Sequence, residues 1–140
     1  MKVMYATKAI ATGGRDGKVT VENSPLQFEM ALPAEMGGKK ESGVNPEQLF
    51  AAGYAACFGS ALQHVIRVKR LDISAPDVRA TVGIGRNDQG KFQLTAAIEA
   101  VFRAVDQKTA DEVAAEAHLT CPYSNATRGN IEVTVTATVE

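Results

Sequence analysis

The chain begins with short stretches of alternating character and then passes into one long apolar run. Residues 2–11 mix Val, Tyr, Ile and Ala with Lys and Thr and read as a strand. Gly13-Gly14-Arg15-Asp16-Gly17 reads as a tight turn, because glycine reaches positive φ without steric cost. Lys18 to Glu22 alternates again, so the two strands and the turn predict a hairpin. Leu26 to Leu32 alternates as a third strand, and residues 37–43 form a polar loop.

The period then changes. Asn45-Pro46-Glu47-Gln48 carries the signals of a helix start: an N-cap Asn, Pro at the first helical position, and Gln three residues after the cap. The helix is predicted from Pro46 to about Arg70. Its first two-thirds are apolar on nearly every face, which predicts a long buried central helix. Its last turn is cationic, as the helix dipole favours.

Beyond Pro76, Asp77–Arg86 and Lys91–Phe102 read as strands joined through a turn at 87–90. Asp106 caps a helix over Gln107–His118. Pro122 starts a further helical turn in a compact segment at 121–130. Ile131–Val139 alternates strictly as a last strand. The order predicts an α+β fold with helices against antiparallel sheets.

Length supports one domain over residues 1–140, large enough to bury roughly two-thirds of its unfolded surface. Apolar residues make up 45% of the chain and charged residues 22%, which excludes wholesale disorder. The formal net charge of −1 gives no electrostatic case for nucleic acid or an anionic membrane. Lys8 interrupts the N-terminal apolar stretch, so no secretory signal is expected. The apolar run from Leu49 to Ala61 is short for a membrane span. These readings predict a cytoplasmic protein.

Two cysteines carry the candidate chemistry. Cys57 lies within the apolar helix and Cys121 just before Pro122. Each alone reads as a small core hydrophobe. Together they also fit an attacking thiol and a resolving partner, provided that the fold brings them within disulfide reach. A thiol in an apolar helix is inert unless a cation lowers its pKa. Arg15, Arg67, Arg70, Arg79, Arg128, His64 and His118 are the candidates. Glu47 could hold such an arginine in a bidentate pair, or simply serve the helix dipole. Glu47 and Cys57 are ten positions apart, about 15 Å along a straight helix, so they do not touch through it. His64 is two turns from Cys57, too far for a catalytic pair. His118 and Cys121 lack the further ligands of a metal site, so no metal is expected. Phe50, Tyr54 and Phe58 read as core or as the lining of an apolar substrate pocket. No nucleophile elbow, Walker A or dinucleotide fingerprint is present.

The runs NPEQLFAAGYAACFGSAL at 45–62 and HLTCPYSNATRGNIEV at 118–133 closely resemble the two signature blocks of organic hydroperoxide resistance proteins, the Ohr branch of the OsmC/Ohr family. The GGRDG turn fits as well, and the resemblance spans nearly the whole chain. It implies an intertwined homodimer with active sites at the subunit interface. It implies a thiol peroxidase that reduces organic hydroperoxides to alcohols. In that scheme Cys57 is the peroxidatic cysteine, Cys121 resolves it as a disulfide, Arg15 lowers the thiolate pKa, and Glu47 orients Arg15. The external reductant is then a dihydrolipoyl group on a lipoylated protein, with no bound cofactor. Two other readings stand beside it. One is an OsmC-type peroxidase of different peroxide preference. The other is a non-catalytic dimeric binding protein with inert buried cysteines.

Overall fold

The computed structural model describes residues 1–140, which divide into two compact units, Met1–Leu49 and Phe50–Glu140.

In the first unit β1 (Ala9–Thr12), β2 (Lys18–Val21) and β3 (Gln27–Glu29) form an antiparallel sheet in that order. The first strand is shorter than the expected 2–11, for residues 1–8 form no ladder. Polar Lys2, Thr7 and Lys8 break the apolar pattern there, and Met1, Val3, Met4 and Tyr5 are exposed. The turn at 13–17 tightens into a 3₁₀ turn, Gly14–Asp16. Gly13 and Gly14 both take positive φ, and a Cβ on Gly17 would run into the Thr12 carbonyl, so the turn depends on its glycines. Lys40 Nζ donates to the carbonyls of Asp16 and Met30, tying the polar loop back to the sheet.

The helix α1 (Pro46–Lys69) starts as expected. Gln48 N–H donates to Asn45 Oδ1 at 2.9 Å, and Asn45 N–H donates to Gln48 Oε1 at 3.0 Å, a reciprocal capping box. Its end is set by Arg70, at φ 55°. Leu71 N–H donates to the Ile66 carbonyl and Arg70 N–H to that of Arg67, the Schellman arrangement with arginine where glycine is usual.

In the second unit β4 (Asp77–Arg86) and β5 (Phe92–Phe102) form a long antiparallel hairpin. Next come α2 (Gln107–Thr120), capped by Asp106 through Thr109, and α3 (Pro122–Thr127). The last strand, β6 (Val133–Val139), pairs with β5 in parallel, where antiparallel sheets were expected. The cause is the connection: a parallel return needs a crossover, and α2 with α3 supplies it. The fold is α+β, two small sheets and a central helix.

The core of the second unit packs one stripe of α1 (Tyr54, Phe58, Leu62, Val65) against Ala96, Ile98, Ala100 and Phe102 of β5 and against Ala110, Val113 and Ala117 of α2. Burial of the central helix is therefore one-sided within the chain. Ala52, Ala56 and Ser60 on the opposite face are exposed, and Val68 is 66% exposed. By length and composition α1 reaches what a membrane crossing requires, beyond what the Leu49–Ala61 run suggested. Its apolar stripe is nevertheless spent on the sheet, as in a core helix.

Candidate active site

The first unit holds an ion pair. Arg15 sits in the 3₁₀ turn and Glu47 in the first turn of α1. Arg15 Nη1 donates to Glu47 Oε2 at 2.8 Å and Nη2 to Oε1 at 2.6 Å, a two-pronged guanidinium–carboxylate pair. Glu47 is largely covered, its side chain 12% exposed. The hydrogen bonds from Arg15 hold the Glu47 carboxyl below the usual carboxylate range and make Arg15 still harder to deprotonate. The pair is thus permanently ionised and fixed in orientation at neutral pH.

The second unit holds the cysteines. Cys57 lies on α1 and Cys121 at the joint of α2 and α3, where it ends one helix and begins the next. Both are free thiols, and their sulfurs are 3.7 Å apart. Cys121 is fully buried and Cys57 partly exposed. Burial pushes the Cys57 thiol pKa up. The Tyr123 backbone N–H opposes this, and the Cys121 thiol adds to it. A sulfur in contact with a second sulfur, on a partly open side, is placed for disulfide exchange.

Three aromatic rings stand beside the cysteines. Phe50 meets Tyr54 edge-on at 5.9 Å, and Tyr123 lies 5.6 Å from Tyr54 and 6.0 Å from Phe50. Phe50 is half-buried. Tyr54 and Phe58 are fully buried in the core and offer no open surface within the chain. Gly53 lets the Tyr123 ring approach α1: a Cβ there would lie 2.7 Å from the tyrosine hydroxyl oxygen.

Of the other candidate cations, Arg70 ends α1 through its backbone, and the rest meet partners other than the thiols. Arg128 donates to the His118 carbonyl at 2.6 Å and to Asn125 Oδ1 at 2.7 Å, closing the end of α2. Arg79 pairs with Glu99 and Glu140. Arg67 approaches His64, which is exposed. His118 Nδ1 lies 2.9 Å from Ser124 Oγ, and burial, with the nearby Arg128 charge, lowers its pKa. No three His, Cys, Asp or Glu side chains gather as metal ligands would.

Sequence reasoning passed over Ser124 and Thr127. Both are buried polar residues, and both hydroxyls bond the Tyr54 hydroxyl, at 2.9 and 3.2 Å. Their spacing of three, on the short helix after Pro122, was the available signal, for it puts two hydroxyls on one face.

The family model for OsmC-like proteins matches residues 37–136. The organic hydroperoxide resistance protein of Xanthomonas axonopodis pv. citri is 41% identical over 136 residues, covering 96% of this chain and 95% of that protein. The crystal structure of an organic hydroperoxide resistance protein from Elizabethkingia anophelis, with crystallant-derived thiocyanate bound, is 45% identical, with a TM-score of 0.94 and 100% of both chains covered. That of OhrB of Bacillus subtilis is 37% identical, with a TM-score of 0.88, covering 97% of this chain and 100% of the other. A chain so matched from end to end, in sequence and in fold, belongs to the OsmC/Ohr family and to its organic hydroperoxide resistance branch.

Proposed function

We propose that the protein reduces organic hydroperoxides to alcohols by a two-cysteine cycle. The observation that carries the proposal is the 3.7 Å contact between Cys57 and Cys121. The Cys57 thiolate attacks the distal oxygen of ROOH. The O–O bond breaks, the sulfur becomes a sulfenic acid, and RO⁻ takes up a proton to leave as alcohol. The Cys121 thiol then displaces water from the sulfenic acid and closes a disulfide. A dihydrolipoyl dithiol from a lipoylated protein returns both thiols and is itself oxidised to its disulfide.

Arg15 is the proposed activating cation. Burial alone would leave the Cys57 thiol protonated, so the reaction needs a positive charge that stabilises thiolate and departing oxygen. The guanidinium locked by Glu47 has the charge and the fixed orientation for that task. Half-buried Phe50 and the more exposed Tyr123 beside the thiols, backed by the buried Tyr54 and Phe58, support a preference for fatty-acyl or aryl hydroperoxides. Those substrates bring apolar surface to bury, whereas hydrogen peroxide brings none.

The reading treats the chain as one OsmC/Ohr-like domain working as an intertwined homodimer in the cytoplasm. The exposed Ala52–Ala56–Ser60 face of α1 and the exposed apolar N-terminus are the surfaces that a second copy would cover. A raised thiol pKa also fits a binding protein with inert cysteines, and one experiment separates the two. Free thiols are counted before and after one equivalent of cumene hydroperoxide, with hydrogen peroxide as comparison. The peroxidase loses both thiols to an intramolecular disulfide and regains them with dihydrolipoamide. Two thiols that survive and alkylate slowly would leave the binding protein.

A further inference from the structure

Tyr54 precedes Cys57 by three positions on α1, and Ser124 follows Cys121 by three on α3. Each hydroxyl residue is thus one helical turn from its cysteine. Both are fully buried, with Tyr54 Oη 2.9 Å from Ser124 Oγ. The two turns are therefore joined twice, once through the sulfurs and once through the hydroxyls.

Proton accounting shows how complete the second link is. The Thr127 hydroxyl donates to the Tyr123 carbonyl at 3.0 Å and so accepts from Tyr54, whose hydroxyl oxygen is 3.2 Å away. Tyr54, having spent its proton, accepts from Ser124. Ser124 in turn accepts from His118 Nδ1–H at 2.9 Å. Every hydrogen in the chain His118–Ser124–Tyr54–Thr127 is used once, and the chain ends on a carbonyl. No buried side-chain polar atom in the protein lacks a partner. A saturated buried network of this kind holds its members in one arrangement.

We infer that the Tyr54–Ser124 hydrogen bond is a positioning device, which holds the Cys121 turn within bonding reach of Cys57, with His118 and Thr127 orienting its protons. This deepens the two-cysteine reading and rests on it. The sulfurs have about 1.7 Å to close to reach the roughly 2.05 Å of a disulfide. With the hydroxyl link removed, α3 gains freedom and the local concentration of one thiol at the other falls. Ser124 and Tyr54 thereby act on disulfide closure and not on the attack of Cys57 on peroxide.

The test uses the full chain and reads the two steps apart. In Ser124→Ala, single-turnover oxidation of Cys57 by cumene hydroperoxide should stay within about twofold of wild type. Closure of the disulfide should slow about tenfold, and dimedone should trap more sulfenic acid. A second measurement needs no peroxide: equilibration of the dithiol and disulfide forms against reduced and oxidised dithiothreitol. Ser124→Ala and Tyr54→Phe should each shift that equilibrium about tenfold towards the dithiol, about 30 mV for a two-electron couple. The double variant should shift it by less than the two single shifts combined, because both singles remove the Tyr54–Ser124 bond. Val113→Ala, a change in the same core outside the hydroxyl chain, serves as control. The inference is overturned if neither variant moves the equilibrium beyond twofold, or if Val113→Ala moves it as far. A wild-type protein that ignores peroxide while the equilibrium shifts as expected would end the peroxidase reading and leave the positioning role standing.

Discussion

The two units hold their functional side chains by opposite means. In Met1–Leu49 only Met30 and Ala31 are buried, the strands are three or four residues long, and Arg15 is fixed by charge. In Phe50–Glu140 an apolar core underlies Cys57 and Cys121, and a hydroxyl network flanks them. Hydrophobic packing fixes position and excludes water. A fork of two charged hydrogen bonds fixes orientation and leaves the support mobile. A reactive thiol needs the first and a cation that must meet a substrate is served by the second. On the proposed mechanism, the nucleophile is built into a packed core while the activating cation is held by charge on a thinner frame.

Substitutions can break or sharpen that contrast. The largest effect is expected at Cys57→Ser, where peroxide reduction should fall on the order of 10⁴-fold or more with the fold intact by circular dichroism. Residual turnover near wild type would move the nucleophile elsewhere. Phe58→Ala should cost about 3–5 kcal/mol in urea unfolding, against about 1 kcal/mol for half-buried Phe28→Ala in β3. Equal costs would erase the distinction between a packed frame and a thin one. Arg15→Ala should lower the rate of peroxide reduction about 10²–10³-fold while the melting temperature changes little. A large loss of stability with normal turnover would make Arg15 structural and return activation of Cys57 to its own unit.

The smallest effect is a matter of pH. Glu47, with its pKa lowered by Arg15, favours the folded state fully above the unfolded carboxyl value of about 4.3. That contribution is lost only as pH falls through the lower folded value. Between pH 5 and 8 the ion pair is therefore constant. The Cys57 thiol, raised by burial, should make the rate rise with pH across that window wherever thiolate formation limits it. Glu47→Gln, by loosening Arg15, should lower the rates and move the rise to higher pH, as a pH series of initial rates would show. A fall between pH 6 and 5 steeper than the single proton of the Cys57 thiol would contradict the lowered carboxyl.

Much of this was legible in the sequence because the signals were local. The capping box at Asn45 and Gln48, the Asp106 cap and the β4 limits follow from residues within a few positions of each other. The Arg15–Glu47 pair was named as a possibility from residue types, and the two cysteines from their number. Long-range facts were harder. Period-two alternation marks β6 as a strand but is silent on its direction, so the parallel pairing with β5 was missed. Apolar residues around α1 suggested cover on all sides, whereas one chain covers one stripe. The hydroxyl chain was invisible, since Tyr54, Ser124 and His118 become neighbours only after α3 folds back on α1.

The parallel strand bears on the order in which the molecule is assembled. Residues 133–139 pair with 96–102, so the ladder cannot close before the intervening crossover has been laid down. Contacts so distant along the chain carry a larger loop-closure cost and tend to form late. Cys121 lies inside that crossover. During synthesis it emerges with the last fifth of the protein, long after Cys57. While the 64 residues from Cys57 to Cys121 are made, the nascent polypeptide thus carries a lone thiol, and the two sulfurs can meet only once that crossover exists.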